Sequence, residues 1–196
     1  MLSNYVFFAV NVLDNLCSLL KTLTRKEVSA CVKIINPNDN LTFDSATVST
    51  FCRSSNSNPE RFILDETYLE VEYIKDNTIY NEIVSPGRSQ GSFYECDLRE
   101  YVRSLEKKGE KFLNTNPEWQ KYYESAVVIP IRFLNRRSPK DTDQDSYTLL
   151  GFLCVDSMSR NAFLQSKQAY YTSIIRADAD AFAVVLWNYK RIIERK

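Results

Sequence analysis

Apolar residues follow two different periods along this chain, and the switches between them mark its elements. Near the N-terminus Tyr5, Ala9, Val12, Leu16, Leu19 and Leu23 recur at spacings of four and three, the a/d spacing of a helical seam. Val6, Leu13 and Leu20 form a second stripe beside the first. One helix over residues 3–24 follows, with an apolar face too wide for a lone surface helix. A helix this short is marginal alone in water, so it must pack on something. From Val28 to Ile35 the period drops to two, with Val28, Ala30, Val32 and Ile34 alternating with Ser29, Cys31, Lys33 and Ile35, which predicts a strand. Residues 36–40 are a turn by composition, and Ala46 to Arg53 is the return strand of a hairpin. Ser54 to Pro59 reads as a polar loop, and Phe62 to Lys75 fits neither period. Asp76 to Tyr80 opens a helix with Asp76 as its N-cap, and Ser85-Pro86-Gly87 ends it. Ser92 to Glu95 reads as a short strand, Asp97 to Lys108 as a short helix or turn, and Asn114 to Trp119 as loop.

The last seventy residues carry the clearest pattern. Ser125 to Phe133 is a strand, residues 135–146 a polar hairpin loop, and Leu149 to Ser157 a second strand. A long amphipathic helix runs from about Lys167 to the C-terminus. Tyr171, Ile174, Ile175, Phe182, Val185, Leu186, Tyr189, Ile192 and Ile193 share its broad apolar face, which Asp178 interrupts. No internal repeat and no linker divides the chain, and its 196 residues suit one domain with one substantial core.

Composition narrows the chemistry. Lys plus Arg and Asp plus Glu both number 25, so no net charge draws the chain to nucleic acid. The clusters Lys107-Lys108, Arg136-Arg137 and Lys190-Arg191 read as solvated faces. The chain has no histidine, which removes the usual proton shuttle, the Ser-His and Cys-His catalytic pairs, and the commonest zinc and haem ligand. With only 4 Gly, glycine-rich phosphate loops are nearly excluded. The 12 Tyr and 11 Phe suit amphipathic core edges, or else a wet pocket or an interface. The five cysteines (17, 31, 52, 96 and 154) form no C-x-x-C pair and mostly sit in apolar runs, as buried free thiols of a reducing compartment do. The apolar stretch Tyr5 to Leu23 is interrupted by Asn11, Asp14 and Asn15 and lacks a basic leader. Neither a spanning helix nor a signal peptide is therefore expected, and a cytoplasmic location is. The pattern is also compatible with the soluble part of a longer, membrane-attached chain.

The order S-x-V-x-x-P-I, polar loop, G-F-L-x-V-D-S, helix resembles the C-terminal half of a GAF domain, a small-molecule sensing module related to PAS. Asp76-Asn77-Thr78 through Gly87, then Ser92-Phe93-Tyr94-Glu95-Cys96-Asp97-Leu98, is similar to the family's helix, glycine loop and F-x-x-x-D-L segment beside the ligand pocket. The likeness covers roughly residues 25–190. It implies an α+β fold: a GAF-like antiparallel sheet with the N- and C-terminal helices on one face and segments between about 56 and 122 on the other. Residues 1–24 would be a dimerisation or signalling helix and 25–196 the domain itself. It further implies a non-enzymatic sensory or regulatory role and a homodimer through the terminal helices. The cyclic-nucleotide signature N-K-F-D-E is absent, and bilin or haem attachment lacks its histidine. No cofactor and no metal are expected. Cys96 lies near the implied pocket without an obvious partner for a GAF-type methionine-sulfoxide reductase.

Two motifs are weighed and set aside. Gly87-Arg88-Ser89-Gln90-Gly91 matches the G-x-S-x-G elbow, but a helix precedes it, a strand follows, and no histidine can serve as base. Asp141, Asp143 and Asp145 imitate a calcium loop, yet Ser146 stands where glycine is needed and Phe152 where glutamate is. The candidate pocket residues are Phe93, Tyr94, Asp97, Tyr101, Ser125 and Arg132, with Tyr122 and Tyr123 beside them. They would supply aromatic walls, one carboxylate and one guanidinium. Each also has an ordinary structural role, such as Asp97 capping the helix after it. A ligand-free dimerisation module, or a small enzyme using Cys96 or Asp97, are the alternative functions.

Overall fold

The computed structural model describes residues 2–36, 45–67, 72–85, 91–135 and 146–193. Six strands make one antiparallel sheet: β1 (Ser29–Ile35), β2 (Thr47–Arg53), β3 (Glu72–Tyr73), β4 (Phe93–Glu95), β5 (Ser125–Asn135) and β6 (Ser146–Ser157). Their order is β3-β2-β1-β6-β5-β4, so the chain crosses from the β2 side of the sheet to the β4 side and returns through β5 and β6. The helices are α1 (Leu2–Thr24), α2 (Pro59–Thr67), α3 (Thr78–Val84), α4 (Leu98–Lys107) and α5 (Gln168–Ile193).

The central strands bury side chains on both faces, and each face has its own core. Val32, Val127, Ile129, Ile131, Leu153 and Val155 pack under α1 and α5. Cys31, Val128, Phe152 and Cys154 pack under α3, α4 and Trp119. Two-sided burial blurs the alternation expected of a half-buried strand into near-continuous apolar runs. Pro130 sits in β5 beyond the residues that pair with β4, where a missing N–H on the outer edge is tolerated. The helices α1 and α5 share one face of the sheet, as the α+β expectation had it.

Local chemistry corrects some boundaries. Asn77, not Asp76, caps α3: its side-chain oxygen accepts from the N–H groups of Ile79 (3.0 Å) and Tyr80 (3.4 Å), while Ile74–Asp76 is a tight 3₁₀ turn. The end of the expected polar loop is the start of α2, where Pro59 occupies the first helical position and Asn58 accepts from Glu60 N–H at 2.9 Å. In α1 the buried stripe is Ala9, Leu13, Leu16, Cys17 and Leu20, whereas Leu19 of the expected seam is 47% exposed. The stretch Asn4–Thr24 is long and apolar enough to cross a bilayer by length and composition, yet its buried stripe packs on α5 and the sheet. The residues called as a turn at 37–40, the G-x-S-x-G run at 87–90, and the acidic loop at 141–145 lie outside the described residues.

Candidate functional site

On the sheet face away from α1 and α5 lies a cavity of about 610 Å³. Its floor is strand side chains: Cys31 and Lys33 from β1, Arg53 from β2, Ala126 and Val128 from β5, Cys154 and Asp156 from β6. Its roof is Arg61 of α2, Glu72 of β3, Asn77, Ile79 and Tyr80 around the start of α3, and the segment 114–123. Tyr80 stacks on Phe152 with ring centroids 4.5 Å apart, which fixes the Tyr80 hydroxyl 3.7 Å from Cys154 Sγ.

Two ion pairs, each mostly but not fully buried, stand on the wall. Lys33 Nζ is 3.0 Å from Glu72 Oε2. Glu72 also accepts from Asn77 Nδ2 at 3.0 Å and from Thr115 Oγ1 at 2.9 Å. Arg61 Nη1 reaches both carboxylate oxygens of Asp156, at 3.0 and 2.9 Å, and Ser29 Oγ donates to the same carboxylate at 2.6 Å. Burial alone would lower the pKa of Lys33, but the Glu72 carboxylate outweighs it and Lys33 stays charged. Arg61 is held protonated in the same way by Asp156 against its own burial. The Arg61 guanidinium also lies 5.7 Å from the centroid of the Tyr123 ring. Burial pushes the hydroxyls of Tyr80 and Tyr123 well above the usual phenol range, so both are neutral donors. Asn114 Nδ2 donates to the Tyr123 hydroxyl at 2.7 Å. This wall offers fixed positive, negative and neutral polar groups within one enclosure. No group of three metal-ligating side chains occurs among the described residues.

The six expected pocket residues are not gathered around this cavity. Phe93 is buried in the core beneath α4, edge-on to Tyr101, whose hydroxyl donates to Glu82. Tyr94 faces the opposite side of the sheet and donates to Leu164 O at 2.9 Å. Asp97 caps α4, accepting from the N–H groups of Arg99 and Glu100 at 3.1 Å, with Arg160 3.8 Å away. Ser125 donates to Ser159 O at 2.9 Å. Arg132 is half-buried, and its pKa is lowered by that burial and then by the neighbouring charge of Arg176. Tyr122 and Tyr123 do line the cavity. Lys33, Arg53, Arg61, Glu72 and Asp156 were missed. Their one local signal is a charge inside or at the end of an apolar strand, as with Lys33 between Val32 and Ile34 or Asp156 after Val155.

With this geometry the chain is comparable to known structures. No protein-family model matches the sequence, and no curated protein sequence matches it significantly. Solved structures do. The GAF domain/HD domain protein from Geobacter sulfurreducens aligns at 12% identity and TM-score 0.51, over 98% of this chain and 99% of that one. The GAF domain of a phosphoenolpyruvate-protein phosphotransferase from Acinetobacter aligns at 11% identity and TM-score 0.50, over 95% and 90%. A type II free methionine-R-sulfoxide reductase from Thermoplasma acidophilum aligns at 16% identity and TM-score 0.49, over 93% and 94%. The first two establish the class by fold: this protein has the α+β fold of a GAF domain. At such identities the likeness speaks for fold alone.

Proposed function

We propose that this protein is a non-enzymatic sensory or regulatory domain that binds a small polar molecule in the cavity between the sheet, α2, α3 and residues 114–123. The observation that carries this reading is the pair of mostly buried salt bridges, Lys33–Glu72 and Arg61–Asp156, on the wall of a cavity of about 610 Å³. Buried ion pairs seldom improve stability over apolar residues of the same volume. Placed around a cavity of ligand size, they have a use that packing does not explain. A ligand-free structural module would instead be expected to fill this space. The wall suits a molecule of amino-acid or nucleobase size with both donor and acceptor groups, held by Asn114, Thr115 and Tyr123 beside the ion pairs.

Native mass spectrometry of protein purified from its host, followed by a thermal-shift screen of amino acids, purines, cyclic nucleotides and small carboxylates, tests the reading. A ligand that binds only the folded state adds about 2.7 kcal/mol at a hundredfold excess over its dissociation constant. Thr115→Val and Tyr123→Phe should weaken the shift. A screen without a hit and without a retained molecule overturns the ligand reading in favour of the dimerisation module. Two companion proposals are a homodimer through the terminal helices and a cytoplasmic setting, the latter supported by five free cysteines.

A further inference from the structure

Cys31 and Cys154 lie directly opposite each other in the antiparallel β1–β6 ladder. Directly opposed residues in such a ladder have Cα atoms about 4.5–5.5 Å apart. That range falls inside the span of about 4.4–6.8 Å that a disulfide bridges. Both side chains line the cavity, so a small solute admitted there meets both sulfurs. Cys17 and Cys52 belong to the core on the other face, and Cys96 stands alone at the end of β4. Three cations, Lys33, Arg53 and Arg61, surround the pair on the same wall.

We infer that Cys31 and Cys154 form a redox site, in which a small hydroperoxide entering the cavity converts the two thiols into a cross-strand disulfide. Cys31 is the attacking sulfur. The neighbouring Cys154 thiol pulls its pKa below the ordinary thiol value against the effect of burial, and the charges of Arg53, Arg61 and Lys33 assist. Cys154 is raised by the same pairing and by its own burial, so it stays protonated. The Cys31 thiolate attacks the peroxide oxygen: an S–O bond forms, the O–O bond breaks, and the departing alkoxide takes a proton from solvent. Cys154 then loses its proton and attacks the Cys31 sulfenic acid. An S–S bond forms, and the hydroxyl leaves with that proton as water. One hydroperoxide and two thiols become one alcohol, one water and one disulfide. The change removes the Cys31 negative charge from among three cations. The chemistry needs no ligand, so it does not rest on the ligand reading and each can fail alone.

The test uses the reduced protein and one equivalent of hydrogen peroxide, with remaining thiols then blocked by iodoacetamide and peptides mapped by mass spectrometry. Two of the five thiols should resist blocking, with the Cys31 and Cys154 peptides joined. Cys154→Ser should stop at a Cys31 sulfenic acid trapped by dimedone, whereas Cys52→Ser should leave the disulfide yield unchanged. Alkylation of Cys31 in Cys154→Ala should follow a higher pH than in the wild type, because the neighbouring thiol is gone while Lys33, Arg53, Arg61, Glu72, Tyr80 and Asp156 still face it. Circular dichroism checks that each variant folds. Oxidation confined to Cys96, linkage between chains, or a Cys31–Cys154 bond appearing only after denaturation overturns the inference.

Discussion

Arg61 presents one guanidinium nitrogen to both carboxylate oxygens of Asp156, joining the roof helix α2 to the sheet across the cavity. Removing one partner leaves the other buried and uncompensated, which costs about 3–5 kcal/mol in dry interiors. The cavity gives the survivor some access to water, so Arg61→Met should lose about 3 kcal/mol. The double variant Arg61→Met, Asp156→Leu should recover most of that. Urea denaturation of the wild type, both single variants and the double variant closes the cycle. Additive losses would show that the two side chains act independently.

Gly151 has a stricter constraint. A Cβ there would lie 2.0 Å from the backbone oxygen of Lys33 on β1. The obstacle is main chain inside a six-stranded sheet, so it cannot swing away as a side chain tip would. Gly151→Ala should therefore cost about 3 kcal/mol, the upper end of the ordinary overpacking range. A thermal midpoint within experimental error of the wild type would show that β1 and β6 part more easily than their ladder implies.

Much of the architecture was legible in chain-local periodicity: α1, α5 and the strands β1, β2, β5 and β6 follow from spacings of 3.6 and 2. The helix α2 was missed because its apolar positions are few, and Pro59 reads as loop chemistry until it is seen at a first helical position. The cavity was much less legible. Arg61 and Asp156 are separated by 95 residues, and no spacing in the sequence announces their meeting. Cys31 and Cys154 are adjacent only because β1 pairs with β6. Residues chosen near the loop after α3 were instead drawn into helix capping and core packing, as Asp97 and Phe93 show.

Glu95 gives a pH signature. Its carboxyl is raised to about 7, first by burial and then by the charges of Glu82 and Asp97. In the unfolded chain it titrates near 4.5. The folded state thus holds the extra proton between those values, and stability falls as pH rises from about 4.5 through 7. Because Glu95 is partly exposed, solvent screening reduces the effect to about 1 kcal/mol. Glu95→Gln should match the wild type near pH 4.5 and exceed it above pH 7, measured by urea midpoints across that range. A pH-independent gap between the two proteins would refute the assignment.

Asp97 offers a separation of capping from binding. Its side chain accepts two N–H groups at the start of α4, a cap worth about 1 kcal/mol. Asp97→Ala should lower stability by that amount and leave the thermal shift of any cavity ligand unchanged. Asp97→Asn should restore the cap. A ligand shift abolished in both variants while Thr115→Val keeps it would move the site to α4.

The proposed terminal-helix homodimer has a testable face on α1. Leu16 is buried within the subunit at 2% exposure, so a charge there would damage the monomer itself. Phe8 and Leu19 are 54% and 47% exposed, and eleven residues of helix bring them to nearly the same side. Fully burying a large apolar side chain contributes about 1.5–3 kcal/mol, and two copies of each residue would double the gain in a symmetric pair. Phe8→Asp together with Leu19→Asp should therefore convert a dimer to a folded monomer, seen as halved mass by light scattering with an unchanged circular dichroism spectrum. Leu16→Asp should instead lower the thermal midpoint steeply whatever the assembly. A wild-type protein that stays monomeric at high concentration would sink the dimer, and a dimer untouched by the double variant would place its interface away from this side of α1.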